Sequence, residues 1–139
     1  LRELKEETSI INVKLIKENV FVRGYIDRID KISDTEYVVI DYKTSKNEKY
    51  LKEFQLLVYA IAIKKMYPQV DKVRGSFMLL KHGFKTVDYV FTDFDLDKAY
   101  DKIVNNLQLI ESDKVWAKNP TKLCNWCDYQ SICQDSWTS

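Results

Sequence analysis

The sequence predicts an α/β fold in which a mixed β-sheet is flanked by helices. Two changes of period carry that expectation. Residues 9–16, 19–29 and 36–43 are rich in β-branched and aromatic side chains, whereas from about residue 47 the apolar residues recur every three or four positions, and both patterns then repeat. The third observation is punctuation: only three glycines and two prolines occur in 139 residues, so short turns join the elements.

The first three segments read as successive antiparallel strands, a β-meander, with polar breaks at Lys17-Glu18-Asn19 and at residues 31–35. A helix is expected over residues 47–66, burying Leu51, Phe54, Val58, Ile61 and Ala62. Residues 73–80 and 86–91 read as two more strands, turned at Lys81-His82-Gly83-Phe84-Lys85, where glycine supplies a positive φ. A second helix is expected over 95–112, with Leu96, Ala99, Ile103, Leu107 and Ile110 on one stripe and Asp93 or Asp95 as N-cap. The domain divides into a core, 1–115, and a cysteine-bearing tail, 116–139.

With 22 Lys+Arg against 21 Asp+Glu, the formal charge of +1 excludes a globally basic nucleic-acid binder; any such affinity is local. The absence of a long apolar run argues against a membrane span or a secretory signal, and a cytoplasmic protein is expected. The first residue, Leu1, suggests a piece of a longer protein.

Charged residues interrupt otherwise apolar strands at Gly24-Tyr25-Ile26-Asp27-Arg28-Ile29-Asp30 and Val38-Val39-Ile40-Asp41-Tyr42-Lys43-Thr44. Strand alternation puts Asp41 and Lys43 on one face, and pairing with the preceding strand brings Asp27 beside them. Two carboxylates so close repel unless a cation lies between them, and Mg²⁺ or Mn²⁺ prefers such hard oxygen ligands. With a nearby ammonium, this set suits phosphodiester hydrolysis. The alternative is a solvent-facing ion pair worth ~0.2–1 kcal/mol. Gln55 and Tyr59 stand four apart and share a helix face, where an amide and a phenol suit a phosphate or a water; ordinary helix surface is the alternative.

These segments resemble the G-x-[IV]-D-[RL]-[IV]-D, D-Y-K-[TS] and Q-x-x-x-Y motifs of RecB-type nucleases in the PD-(D/E)XK superfamily. The resemblance implies a restriction-endonuclease-like fold and Mg²⁺- or Mn²⁺-dependent DNA cleavage. It implies metal binding by Asp27, Asp41 and the Tyr42 carbonyl, and catalysis by Lys43 with Gln55 and Tyr59. Asp30 becomes a structural partner, and Arg28 is held by a neighbouring carboxylate. An additional upstream acid is usual in the family, and Glu7 is the candidate here. His82, the single histidine, is expected in solvent. Lys46, Lys49 and Lys52, with Lys43, form a candidate DNA-binding patch, although such a run is more often a solvated face.

Cys124, Cys127 and Cys133 form C-x₂-C-x₅-C, three thiolates that can wrap one metal centre but leave a fourth position open. The segment resembles the C-terminal N-P-x-x-x-C-x-x-C-x-Y-x-x-x-C signature of AddB-type and CRISPR-associated RecB-like nucleases. That implies a 4Fe-4S cluster whose fourth cysteine lies upstream, incomplete in this chain; zinc and ordinary thiols are the alternatives. The expected partners are DNA and a helicase domain or subunit, within a DNA repair, recombination, phage or CRISPR-type protein. Competing readings are a catalytically silent DNA-binding module of the same fold and a zinc adaptor.

Overall fold

The computed structural model describes residues 2–3, 10–14, 21–45, 48–115 and 117–133, with side chains from Val22 onward except Tyr50. The chain divides into two compact units, Leu1–Asn106 and Leu107–Ser139. Strands β1 (Arg2–Glu3), β4 (Arg28–Lys31), β5 (Glu36–Lys43), β6 (Lys72–Leu79) and β7 (Lys85–Val90) form a mixed sheet in the order β1-β4-β5-β6-β7. Strands β2 (Ile10–Lys14) and β3 (Phe21–Tyr25) form a separate antiparallel ribbon. Helix α1 (Glu53–Met66) connects β5 to β6, which pair in parallel, and α2 (Asp93–Ser112) follows β7. No described helix is long and apolar enough to cross a membrane.

The expected meander is corrected at one point. The strand read over 19–29 breaks at Ile26 and Asp27, so that β3 belongs to the ribbon and β4 to the main sheet. Ile26 is buried in the core while Asp27 is exposed, and this pair of opposed side chains marks where the chain leaves one sheet for the other. Beyond the break, β4 pairs antiparallel with β5, as expected.

Helix α1 starts six residues later than its apolar pattern, after a 3-10 turn at Glu48–Tyr50, and its N-cap, Lys52, makes no side-chain cap. Its phase also differs from expectation. Ile61 and Ala62 are buried, but Leu51, Phe54 and Val58 are only half-buried, and the most deeply buried positions are Leu56, Ala60 and Ile63. The middle of the helix is apolar on nearly every side, so spacing alone could not phase it. In α2, Leu96 and Ala99 are buried, while Ile103 and Leu107 are half-buried and Ile110 is exposed. The N-cap is Thr92 and not an aspartate: Thr92 Oγ1 accepts from the Asp95 N–H (3.2 Å), and the Asp95 carboxylate accepts from the Thr92 N–H (2.9 Å). This reciprocal capping box satisfies two donors at the helix entry.

Both central strands carry buried residues on both faces, as expected where a parallel pair sits inside a sheet. On one face, Val39 and Phe77 pack with Leu56, Ala60 and Ile63 of α1 and with Phe91, Leu96 and Ala99. Gly75 makes this close approach possible. A Cβ there would stand 2.9 Å from both Leu56 Cδ1 and Phe91 Cε2.

The β6–β7 connection is a 3-10 turn, Leu80–His82, followed by two left-handed residues, Gly83 (φ 63°) and Phe84 (φ 61°). Successive left-handed residues match the twist of an antiparallel hairpin. Glycine adopts that conformation freely, but a phenylalanine there costs about 1–3 kcal/mol.

Gly75→Ala is expected to lower folding stability by about 1–3 kcal/mol through overpacking. Urea unfolding at fixed pH measures it, and an unchanged midpoint would show that Leu56 and Phe91 move aside without cost.

Candidate active site

Alternation along β5 turns Asp41 and Lys43 to the α1 face. Asp41, in the middle of the sheet, is only 4% exposed. Lys43 ends the strand, with its Nζ 2.6 Å from Asp41 Oδ2 and 5.3 Å from the centre of the Phe77 ring. Phe77 is the register partner of Asp41 on β6, so sheet pairing places the ring beneath the ammonium, where its π face favours positive charge.

Gln55 joins these groups from the first turn of α1. Its Oε1 accepts from Lys43 Nζ (2.9 Å), and its Nε2 donates to Asp41 Oδ1 (2.8 Å) and to Tyr59 Oη (2.9 Å). An ammonium can only donate and a carboxylate can only accept, so the partners fix which end of the amide faces which. Gln55, Tyr59 and Ile63 recur every four residues, so the polar pair continues a buried stripe of α1 and is not ordinary helix surface.

Asp27 arrives from the break between β3 and β4, and its Oδ2 accepts from the backbone N–H of Tyr42 (2.8 Å). A carboxylate from outside the strand is thereby fastened next to Asp41. Arg28 is clamped by Asp30 through two contacts, Nε to Oδ1 at 2.8 Å and Nη2 to Oδ2 at 3.1 Å. Asp30, 3% exposed, is thus the structural partner expected of it.

The Asp41 carboxyl titrates above the ordinary carboxylate range, first because burial disfavours its charge and further because Asp27 lies close; Lys43 and Gln55 pull the other way without prevailing. Its Oδ2 is buried, and the Lys43 ammonium 2.6 Å away is what meets it. A buried anionic oxygen with a lone pair to spare, a second carboxylate beside it and the adjoining backbone form a donor set that fits a hard divalent cation. Asp27, Asp41 and the Tyr42 carbonyl are the residues that could hold it.

Of the other expected positions, Lys49 and Lys52 are exposed on the segment leading into α1, and His82 is exposed in the β6–β7 turn. Glu7 and Lys46 lie outside the described residues. In the second unit, Thr121 caps a 3-10 turn, Lys122–Trp126, and its N–H contacts Cys124 Sγ at 3.3 Å. Cys124, Cys127 and Cys133 are free thiols. Among the described residues no three His, Cys, Asp or Glu side chains are grouped to hold a metal ion, so the expected convergence of the three thiols is not met. Local backbone bonds, such as Cys127 N–H to Cys124 O and Cys133 N–H to Tyr129 O, organise this segment instead. Sequence reasoning missed Phe77 altogether, because an apolar strand residue gives no sign of the cation above it.

The sequence model of the PD-(D/E)XK nuclease superfamily matches residues 1–134. The chain belongs to this superfamily. Among its relatives is an ATP-dependent helicase/deoxyribonuclease subunit from Streptococcus mutans serotype c, 37% identical over 80 residues, which are 52% of this chain and 7% of that protein. The protein of the same name from Streptococcus pyogenes serotype M6 is 36% identical over 67 residues, 43% of this chain and 6% of its own length. The matched part of this superfamily member therefore spans well under a tenth of either relative. A solved chain, from the crystal structure of SSO0001, matches over 94% of this chain and 58% of its own length at 18% identity and a TM-score of 0.43.

In chelator, Asp41→Asn is expected to raise the urea midpoint at neutral and higher pH. The folded-state affinity of Asp41 for its proton is raised, so the wild type loses stability as pH climbs from the unfolded carboxyl's pKa through the higher folded one. The advantage of the variant should shrink below ordinary carboxylate values; an advantage independent of pH would assign it to packing.

Proposed function

We propose that this nuclease-superfamily domain hydrolyses DNA phosphodiester bonds with a divalent metal, Mg²⁺ or Mn²⁺. The observation that carries this reading is the buried Asp41 carboxylate, tied by Gln55 to the Lys43 ammonium that also pairs with it, with Asp27 fastened beside it. The names of the streptococcal relatives, both helicase/deoxyribonuclease subunits, support DNA as substrate and a helicase as neighbour in a longer protein.

Asp27, Asp41 and the Tyr42 carbonyl would hold the cation, which would supply polarisation of the phosphate and a lowered pKa for the attacking water. Lys43 donates to Gln55 and pairs with Asp41, and its positive charge serves the charge that grows on the phosphate oxygens. Gln55 spends both amide protons on Asp41 and Tyr59, so it is a positioning residue that holds acid and lysine in register. Tyr59 accepts from Gln55 and keeps its own proton for a phosphate or a water. Lys43, Lys49 and Lys52 supply local attraction for the backbone.

Asp27→Ala, Asp41→Ala and Lys43→Ala should each reduce Mg²⁺- or Mn²⁺-dependent DNA cleavage by roughly 10²–10³-fold or more. Gln55→Ala should cost about 10–100-fold, as expected for a residue that orients others. Wild-type cleavage rates in Lys43→Ala would overturn the mechanism; absence of metal-dependent cleavage in the wild-type protein would favour a silent DNA-binding module.

A further inference from the structure

The β6–β7 turn lies at the same end of the sheet as the catalytic lysine, because Lys43 and Leu79, the last residues of β5 and β6, are register partners. One contact ties the turn to the segment that follows Lys43: Lys85 Nζ bonds Glu48 Oε1 at 2.6 Å. The most conspicuous residue of the turn is Phe84, 66% exposed and held in a left-handed conformation that phenylalanine rarely adopts. Neither burial nor backbone preference accounts for a phenylalanine here. From Leu80 to Val87 the charged side chains are the exposed Lys81 and Lys85, of which Lys85 is paired with Glu48, with His82 between them.

We propose that this turn is a stacking platform for single-stranded DNA, in which Phe84 takes the face of a base while Lys81 takes a flanking phosphate and Lys85 holds the turn to Glu48. An aromatic face beside exposed cations is the combination that holds single strands without regard to sequence, since every base has a π face and every linkage a charge. Charge complementarity and the tether to the active-site segment select that occupant. An end drawn across Phe84 is led toward Lys43 and the two carboxylates. The inference rests on the nuclease reading for its purpose, but the binding it asserts is measurable without cleavage.

The test is equilibrium binding of a fluorescein-labelled oligothymidylate to the protein at low salt with EDTA present. Phe84→Gly should weaken binding about ten-fold, and Phe84→Tyr should stay near the wild type. Glycine suits the left-handed position, so Phe84→Gly should also unfold at an equal or higher temperature, which separates lost binding from lost folding. Lys81→Ala should lower the salt dependence of binding by about one counterion, whereas Phe84→Gly should leave it unchanged. Blunt duplex DNA should bind Phe84→Gly and wild type alike. Equal oligothymidylate affinity in Phe84→Gly and wild type, or no oligothymidylate binding by the wild type, overturns the platform. Loss of the Phe84 effect and absence of metal-dependent cleavage are separate results, so either reading can fail alone.

Discussion

A carboxyl group buried in the middle of a sheet is the constraint around which this domain is arranged. Asp41 occupies a position that an aliphatic side chain would fill without penalty, and its neighbours answer its charge. The same strand supplies Lys43, the crossover helix supplies Gln55, and the adjacent parallel strand supplies the ring beneath the lysine. These contacts soften the cost of burial without cancelling it, because the Asp41 proton is still held more tightly than usual. The domain thus carries a local excess of unfavourable electrostatics at the spot where a cation would be most welcome. A carboxyl that is costly to bury yet retained is expected where folding and the proposed chemistry compete for the same atoms.

Charge elsewhere is paired locally. Glu36 holds both Arg74, at 2.6 Å, and Lys72, at 3.3 Å; Lys64 meets Asp93 at 2.8 Å; Arg28 meets Asp30. Apart from the pair made with the buried Asp30, these are at least partly exposed and contribute little stability one by one. Among the described residues, Lys52 and Lys81 are exposed near the ends of β5 and β6. A chain of formal charge +1 can in this way present a positive potential where the phosphate chemistry is expected.

The parts of the site that follow from strand period were legible in the sequence. Asp41 and Lys43 had to share a face, and Gln55 and Tyr59 had to share a helical stripe, whatever the rest of the chain did. What was hidden depends on partners far away in sequence. Nothing in the β-branched run through Ile26 announces that Asp27 sits at a switch between two sheets. The apolar sides of α1 left its phase undetermined until the sheet chose among them. Thr92 could have been found, since Thr-x-x-Asp ahead of an apolar stripe marks a capping box. The aspartates drew attention because they were the nearer acids. The left-handed Phe84 was obscured by Gly83, which alone explained a turn, and the cysteine spacing suggested a shared centre that the local backbone of the tail does not form.

The parallel β5–β6 pair has a consequence for how the site comes into being. Parallel neighbours cannot be joined by a hairpin, so the chain must close a loop of 28 residues, carrying α1 with it, before Phe77 can reach Asp41. Loop-closure entropy makes such contacts late and cooperative. Asp41 and Lys43 lie on one side of that loop, Gln55 inside it and Phe77 beyond it, so a chain emerging from synthesis holds the ingredients without their geometry. The arrangement that the proposed chemistry needs is then absent until the crossover locks.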